Sequence, residues 1–190
     1  MIQLISMFAD LFSLKKQPVP MAKEQFDFSH PIQFPFLNSD LHKGFVNSKS
    51  NDWGLQAEFF KGKEKTAYCK WERVIDPFQG FSGIIHGGIL VTLADELMAN
   101  CVLAHTEKFS VSLKATVKWH SPVKIGDAVL GYAQIISEYK NFKKVRFIIQ
   151  SEAGKVVLSG EGLFYLPTQK QFNRMTGINL PPELQTYLRG

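Results

Sequence analysis

The stretch Phe81-Ser-Gly-Ile-Ile-His-Gly-Gly-Ile-Leu-Val-Thr-Leu-Ala-Asp-Glu-Leu-Met98 decides how this chain of 190 residues folds. It begins as a glycine-bearing turn and continues as an apolar run that predicts a helix over residues 88–104, with twelve apolar positions among seventeen. Asp95 and Glu96 lie about two turns inside that helix. Because a buried carboxylate costs several kcal/mol unless it is paired or hydrogen-bonded, a carboxylate at this place predicts a functional site.

Strand patterns lie on both sides of the predicted helix. Residues 111–119 alternate apolar and polar side chains with a period of two, which indicates a half-buried strand. The other predicted strands cover residues 54–60, 66–75, 128–136, 142–151 and 155–166. Because the helix and the strands occur in separate runs, the sequence predicts an α+β domain in which an antiparallel sheet wraps around one central helix.

The central domain is predicted to cover residues 44–167. Residues 1–43 form a predicted N-terminal extension, in which four prolines break any long helix. A short helix near residues 4–14 could dock on the domain or touch a membrane surface. Residues 168–190 form a predicted C-terminal tail, with a short helix that begins at Glu183 after two prolines.

The composition argues against several classes of partner. With 22 Lys and Arg against 17 Asp and Glu, the net charge of +5 fits an anionic small ligand or simple solubility. The basic residues are scattered, which argues against nucleic acid, and no apolar stretch reaches the ~18 residues of a membrane span. Two cysteines make neither a disulfide framework nor a metal site, so we expect a cytoplasmic protein with no cofactor and no membrane partner.

Several segments of the chain carry a family resemblance. The matching stretches are 79–89, 92–98 and 117–127, with a weaker match at 44–55, so that the resemblance covers roughly residues 44–166. In these stretches the chain resembles the hotdog-fold acyl-CoA thioesterases of the phenylacetate (PaaI-like) type, within the 4-hydroxybenzoyl-CoA thioesterase superfamily. The spacing from the His86-Gly87-Gly88 triplet to Asp95 is the specific part of this match.

The resemblance implies a five- or six-stranded antiparallel sheet wrapped around the long helix. It also implies that two subunits join their sheets edge to edge, as a homodimer or a dimer of dimers. One subunit would supply the helix N-terminus of each active site, and the other would supply the acidic residue. The implied activity is hydrolysis of an acyl-CoA substrate to the free acid and coenzyme A.

The resemblance places the catalytic groups around the start of the helix. Asp95 would act as a general base that activates water or as a nucleophile, and the sequence leaves both routes open. The N–H of Gly87 or Gly88 would form the oxyanion hole, because the first N–H groups of a helix have no partner within the helix. The alternative for both glycines is a tight turn. His86 could polarise the carbonyl or hold that turn.

Two further catalytic assignments follow from matched positions. Ser112 matches a position where Ser or Thr assists the acid across the interface, although the alternation places Ser112 with the lysines, away from the apolar face. Many relatives carry Asn or Gln six residues before the His, where this chain has Gly80. Either Gln79 takes that role through a shifted loop, or the role is vacant. A vacant role favours the alternative function, binding of acyl-CoA or another acyl ligand without hydrolysis.

Four residues are predicted to contact substrate. Gly80 occupies the position that relatives direct at the carbonyl or the water, and Glu96 is expected to make a salt bridge or an interface hydrogen bond. Met98 could line an apolar acyl pocket, and Lys118 could bind the phosphates of coenzyme A. Core packing explains Met98 equally well, and a solvated sheet edge explains Lys118.

Overall fold

The computed structural model describes residues 20–35 and 43–190. Its centre is the helix α1 (Gly87–Thr106), and a six-stranded antiparallel sheet packs around it, which confirms the predicted α+β class. The strands of this sheet are β1 (Glu58–Lys61), β2 (Thr66–Trp71), β5 (Val111–Trp119), β6 (Val129–Tyr139), β7 (Phe142–Ser151) and β8 (Val156–Tyr165), and their order in the sheet is β1-β2-β6-β7-β8-β5. A separate hairpin consists of β3 (Gln79–Phe81) and β4 (Ile84–Ile85). Two short helices, α2 (Gln169–Thr176) and α3 (Pro182–Gln185), follow the sheet.

Helix α1 begins one residue before the predicted start and ends two residues after the predicted end. His86 is its N-cap, and the chain leaves the helix at Glu107, which adopts the left-handed conformation with φ of 54°. Leu93, Leu97 and Cys101 on this helix are completely buried. By length and composition α1 alone, among the described residues, could cross a membrane, but half of it is buried inside the domain, as in the core helix of any globular protein.

Two glycines on the concave face of the sheet let α1 approach closely. A methyl group on Gly131 would lie 2.7 Å from a methyl carbon of Leu97, and one on Gly162 would lie 2.9 Å from the sulfur of Met98. Both neighbours are buried and have little room to move. The sheet therefore curls onto the helix because these positions carry no side chain.

The edge strand β5 contains a β-bulge at Leu113. Ser112 pairs with Phe164 and Lys114 pairs with Leu163, so Leu113 has no partner on β8 and is 52% exposed. One extra residue reverses the faces on its N-terminal side. The predicted position of Ser112 on the lysine face was therefore wrong, because the alternation does not continue through the bulge.

Other sequence predictions also differ from the structure. The first strand begins at Glu58 instead of residue 54, because Gln56 has a φ of 57° that a strand cannot contain. Residues 79–81, before the predicted helix, form strand β3 of a hairpin where no strand was predicted, and the predicted tail contains α2 in addition to the short helix near Glu183. The helix predicted near residues 4–14 lies outside the described residues.

The N-terminal strap (residues 20–32) lies on the face of the sheet opposite α1. Its Phe26 is buried against Tyr68 and Leu130. The side chain of Gln150 accepts a hydrogen bond from Met21 N at 2.9 Å and donates one to Met21 O at 2.7 Å. The strap also covers the edge of β1, because Ile32 N donates to Phe59 O and Lys61 N donates to His30 O. Strand β5 has no described strand on its outer side.

Candidate active site

Asp95 is held by a hydroxyl group on the bulged strand. The Ser112 Oγ donates to Asp95 Oδ1 at 2.7 Å, and the contact lies within one chain instead of across an interface. Asp95 is half-buried on α1, and none of the ion pairs in the described part of the chain involves it. A carboxylate with one fixed hydrogen bond and access to solvent is suited to accept a proton or to attack an electrophile.

The hydrogen bonds at the N-cap of α1 differ between Gly87 and Gly88. The Nδ1 of His86 accepts a hydrogen bond from Gly88 N at 2.9 Å, so the Gly88 N–H is already used. No acceptor in the described residues lies on the N–H of Gly87, which remains available to a ligand at the positive end of the helix. Because Nδ1 accepts, a neutral His86 carries its proton on Nε2 and presents a second donor. His86 therefore holds the turn with one nitrogen while the other can polarise a carbonyl.

Two rings flank the glycine pair. A methyl group on Gly87 would lie 2.8 Å from Nε1 of Trp119, and one on Gly88 would lie 2.9 Å from Nδ1 of His86. Trp119, at the end of β5, is 55% exposed although it faces the helix. Sequence reasoning missed this residue, and the available signal was an aromatic side chain on the apolar face of a strand that ends beside a glycine turn.

The β3–β4 hairpin uses the side-chain oxygen of Gln79. The Oε1 of Gln79 accepts a hydrogen bond from Gly83 N at 2.9 Å and so closes the turn of this hairpin. Gly80 packs against His86, since a methyl group there would lie 3.1 Å from the imidazole Cδ2. Position 80 therefore supports the imidazole and supplies no amide to a substrate.

Glu96 points away from Asp95 into a polar cluster. Its Oε1 accepts hydrogen bonds from Asn47 Nδ2 and from Asn100 Nδ2, both at 3.1 Å. Burial raises the pKa of Glu96 above its usual value, the bond from Asn100 acts in the opposite direction, and the charge of Asp95 raises the pKa further. Asn47 was not among the predicted site residues, although it lies in the weakly matching stretch 44–55.

The remaining predicted contacts lie outside this region. Met98 is 1% exposed and packs in the core, where a ligand has no access. Lys118 precedes Trp119 on β5, and successive strand residues point to opposite faces, so it lies on the convex face of the sheet. The structure thus groups Ser112 with Asp95, and Gly80 with the His86-Gly87-Gly88 triplet, but not Met98 or Lys118 with either.

The spacing on α1 keeps the two groups apart within one chain. Gly87 and Asp95 are eight residues apart, which is about 12 Å along a helix. A carbonyl oxygen bound to the Gly87 N–H is therefore out of reach of the Asp95 carboxylate of the same chain.

Other forms of hydrolytic chemistry find little support in the described residues. Over 20–35 and 43–190, no three His, Cys, Asp or Glu side chains meet in a group that could hold a metal ion. Cys69 and Cys101 are free and completely buried, and burial raises the pKa of each thiol to about 12. Neither thiol can supply a thiolate nucleophile near neutral pH.

Comparison with known proteins identifies the fold. The PaaI protein of the phenylacetic acid degradation operon of E. coli superposes with a TM-score of 0.54 at 22% identity, over 58% of this chain and 79% of that protein. A hypothetical thioesterase from Streptococcus pneumoniae TIGR4, solved with coenzyme A, gives 0.53 at 17% identity over 57% and 86%. The protein smu.793 from Streptococcus mutans UA159, bound to acetyl CoA, gives 0.52 at 18% identity over 56% and 85%.

The sequence comparison agrees with the structural one. No curated protein matches this chain by sequence. The family model of the thioesterase superfamily (4HBT) matches residues 82–158, a range that contains α1, the Asp95–Ser112 pair and three of the six strands completely. Over this segment the chain is similar to the 4HBT thioesterase superfamily, and the whole domain has the hotdog fold.

Proposed function

We propose that this protein hydrolyses acyl-CoA thioesters to the free acid and coenzyme A. The observation that carries the proposal is the Asp95 carboxylate, which Ser112 orients on a helix whose amino end is opened by two glycines. The similarity of residues 82–158 to the thioesterase superfamily supports the reaction class. Two similar structures contain coenzyme A or acetyl CoA, which supports the carrier.

The proposed site is shared between two copies of the chain. The separation of about 12 Å between Gly87 and Asp95 within one chain supports a site in which the helix end of one copy meets the carboxylate of the other. Strand β5 is the natural seam, because its outer edge lacks a described partner strand and exposes Leu113 and Trp119. A homodimer joined along β5, alone or paired into a tetramer, is the assembly that we propose.

In this site the thioester oxygen would bind to the Gly87 N–H, with the Nε2–H of His86 as a second donor. These donors stabilise the negative charge that develops on oxygen during attack. The partner's Asp95 would either remove a proton from the attacking water or attack the carbonyl carbon to form an anhydride, which water then cleaves. Both routes release the coenzyme A thiolate, which takes up a proton, and the free acid.

A thiol-release assay over a panel of acyl-CoA chain lengths tests the proposal. Asp95→Asn should lower kcat by at least about 100-fold, because it removes the base or nucleophile but keeps the shape of the side chain. Asp52→Asn, at an exposed carboxylate outside the site, is the matched control and should leave kcat unchanged. Turnover by the Asp95→Asn protein at the wild-type rate would reject the role of Asp95. A single turnover in water labelled with heavy oxygen separates the two routes, since only a nucleophilic Asp95 can transfer its own oxygen to the product.

A second candidate function is acyl-ligand binding without hydrolysis. The observation in its favour is that Gly80 offers no side-chain amide, and that the side-chain oxygen of the neighbouring Gln79 is used to close the hairpin turn. A rise in Tm with acyl-CoA and no release of thiol would favour this function over hydrolysis.

A further inference from the structure

The cluster of Glu96, Asn47 and Asn100 has no part in the chemistry described above. Adjacent helical side chains point about 100° apart, so Glu96 faces away from the Ser112 contact of Asp95. Asn47 and Asn100 both donate to the same oxygen of Glu96, and both are buried, with 7% and 2% of their surface exposed. Buried donors that converge on one acceptor oxygen fix its position, because removing that oxygen breaks two buried hydrogen bonds at once.

Asn47 belongs to the upstream segment (residues 44–57), which precedes β1. This segment also touches the other half of the site. The ring of Phe45 packs edge-on against Phe78 with 6.3 Å between ring centres, and Phe78 O accepts a hydrogen bond from His86 N at 2.8 Å. The segment therefore contacts α1 beside Asp95 and also supports the chain just before the helix begins.

We propose that Glu96 is a positioning residue that, through Asn47, fastens the upstream segment to α1 and so fixes Asp95 and His86 relative to each other. The inference rests on the proposed hydrolytic function. A displacement of about 1 Å at a catalytic group can lower the rate roughly 100-fold. A contact that positions Asp95 can therefore change kcat although it does not touch the substrate. In the proposed dimer each chain contributes Asp95 to one site and its helix end to the other. The contact between Glu96 and Asn47 in one chain therefore affects both sites.

The contact needs an acceptor oxygen and not a negative charge. A glutamine side chain has a similar shape and keeps a carbonyl oxygen that Asn47 and Asn100 can both use. Glu96→Gln should therefore behave like the wild type. Glu96→Ala removes the side-chain oxygen that ties Asn47 to the helix, although the bond from Asn100 to the backbone oxygen of residue 96 remains. If Glu96 were instead a catalytic carboxylate, Glu96→Gln would lose activity as Glu96→Ala does, because an amide cannot replace the carboxylate.

An exchange of polarity tests whether Asn47 and Glu96 act as a pair. Asn47→Asp alone places a second carboxylate against Glu96 and should lower activity. In the double variant N47D/E96Q, the amide nitrogen introduced at position 96 can donate to the carboxylate introduced at position 47, while its oxygen still accepts from Asn100. Activity should therefore return in the double variant.

The experiment measures kcat and KM for the full chain with one acyl-CoA, at a temperature where circular dichroism shows every variant folded. We expect Glu96→Ala and Asn47→Asp to lower kcat by roughly tenfold or more, with KM within about twofold of the wild type, and we expect Glu96→Gln and N47D/E96Q to remain near the wild type. A residue that only stabilises the fold would change Tm and leave kcat per folded molecule intact.

The outcomes separate this inference from the proposed function. A wild type that releases no thiol from any acyl-CoA refutes hydrolysis and the positioning role together. A wild type that hydrolyses acyl-CoA while Glu96→Ala matches its kcat refutes the positioning role alone. Loss of activity in Glu96→Gln, or failure of N47D/E96Q to recover, likewise overturns the inference.

Discussion

The hydroxyl of Ser112 is the smallest feature on which the proposed chemistry depends. Ser112→Ala removes the donor to Asp95 and should lower kcat about tenfold, because a hydrogen bond to a charged group contributes about 1.5–3 kcal/mol. The side chain is exposed, so Tm should change little. Ser112→Thr keeps the hydroxyl and serves as the matched control in the thiol-release assay. A kcat for Ser112→Ala equal to that of Ser112→Thr would show that the contact has no catalytic weight.

Individual site residues could be predicted where one short stretch of sequence contains them. The triplet at 86–88 and Asp95 lie on one turn and one helix, so their spacing alone fixes their relation. Ser112 and its contact with the acid could be expected from a matched position, but not the face of the strand on which it lies, because the bulge at Leu113 decides which way it faces. Asn47 and Trp119 approach the helix from distant parts of the chain, and no local pattern reveals such contacts.

Among the elements, the contact between α1 and β8 gives a prediction about stability. Gly162→Ala places a methyl group 2.7 Å from the ring of Phe164 and 2.9 Å from the sulfur of Met98. Both side chains are 1% exposed, so the strand and helix must move apart, at a cost of about 1–3 kcal/mol of unfolding free energy. Urea denaturation measures this loss. Gly190→Ala, whose methyl group would meet nothing, is the control, and equal stability of the two variants would contradict the packing argument.

The bounds of a helix or strand could be predicted well where its apolar and polar residues follow a regular pattern. The predicted strand 142–151 coincides with β7, and the long apolar run gave α1 to within two residues. Strand β1 was predicted too long because nothing in the sequence marks the positive φ of Gln56. Helix α2 was missed although Thr168 and Gln171 form a capping box. A Thr followed three residues later by Gln is a signal of a helix start that the sequence alone contains.

At the scale of the whole molecule, the two edges of the sheet are treated differently. The strap hydrogen-bonds to β1, whereas no strand in residues 20–35 and 43–190 pairs with the outer edge of β5, on which Leu113 and Trp119 are exposed. A sheet with one open edge can pair once, which favours a closed dimer over a growing fibre. The sequence predicted an extension before residue 44 but not its place, because Met21 and Gln150 are 129 positions apart and their contact has no local signature.

The strap therefore provides a prediction about assembly. Deleting residues 1–19 leaves every strap contact with the sheet in place and should keep Tm within a few degrees of the full chain. Deleting residues 1–32 uncovers Tyr68, Leu130 and Tyr132 and frees the edge of β1, which should lower Tm markedly and produce species larger than those of the full chain. Thermal unfolding and size-exclusion chromatography with light scattering measure both effects. If the longer deletion matches the shorter one in Tm and in mass, the strap neither stabilises the sheet nor shields it. The sheet would then remain folded and would not associate further with the apolar face beneath Phe26 exposed to water.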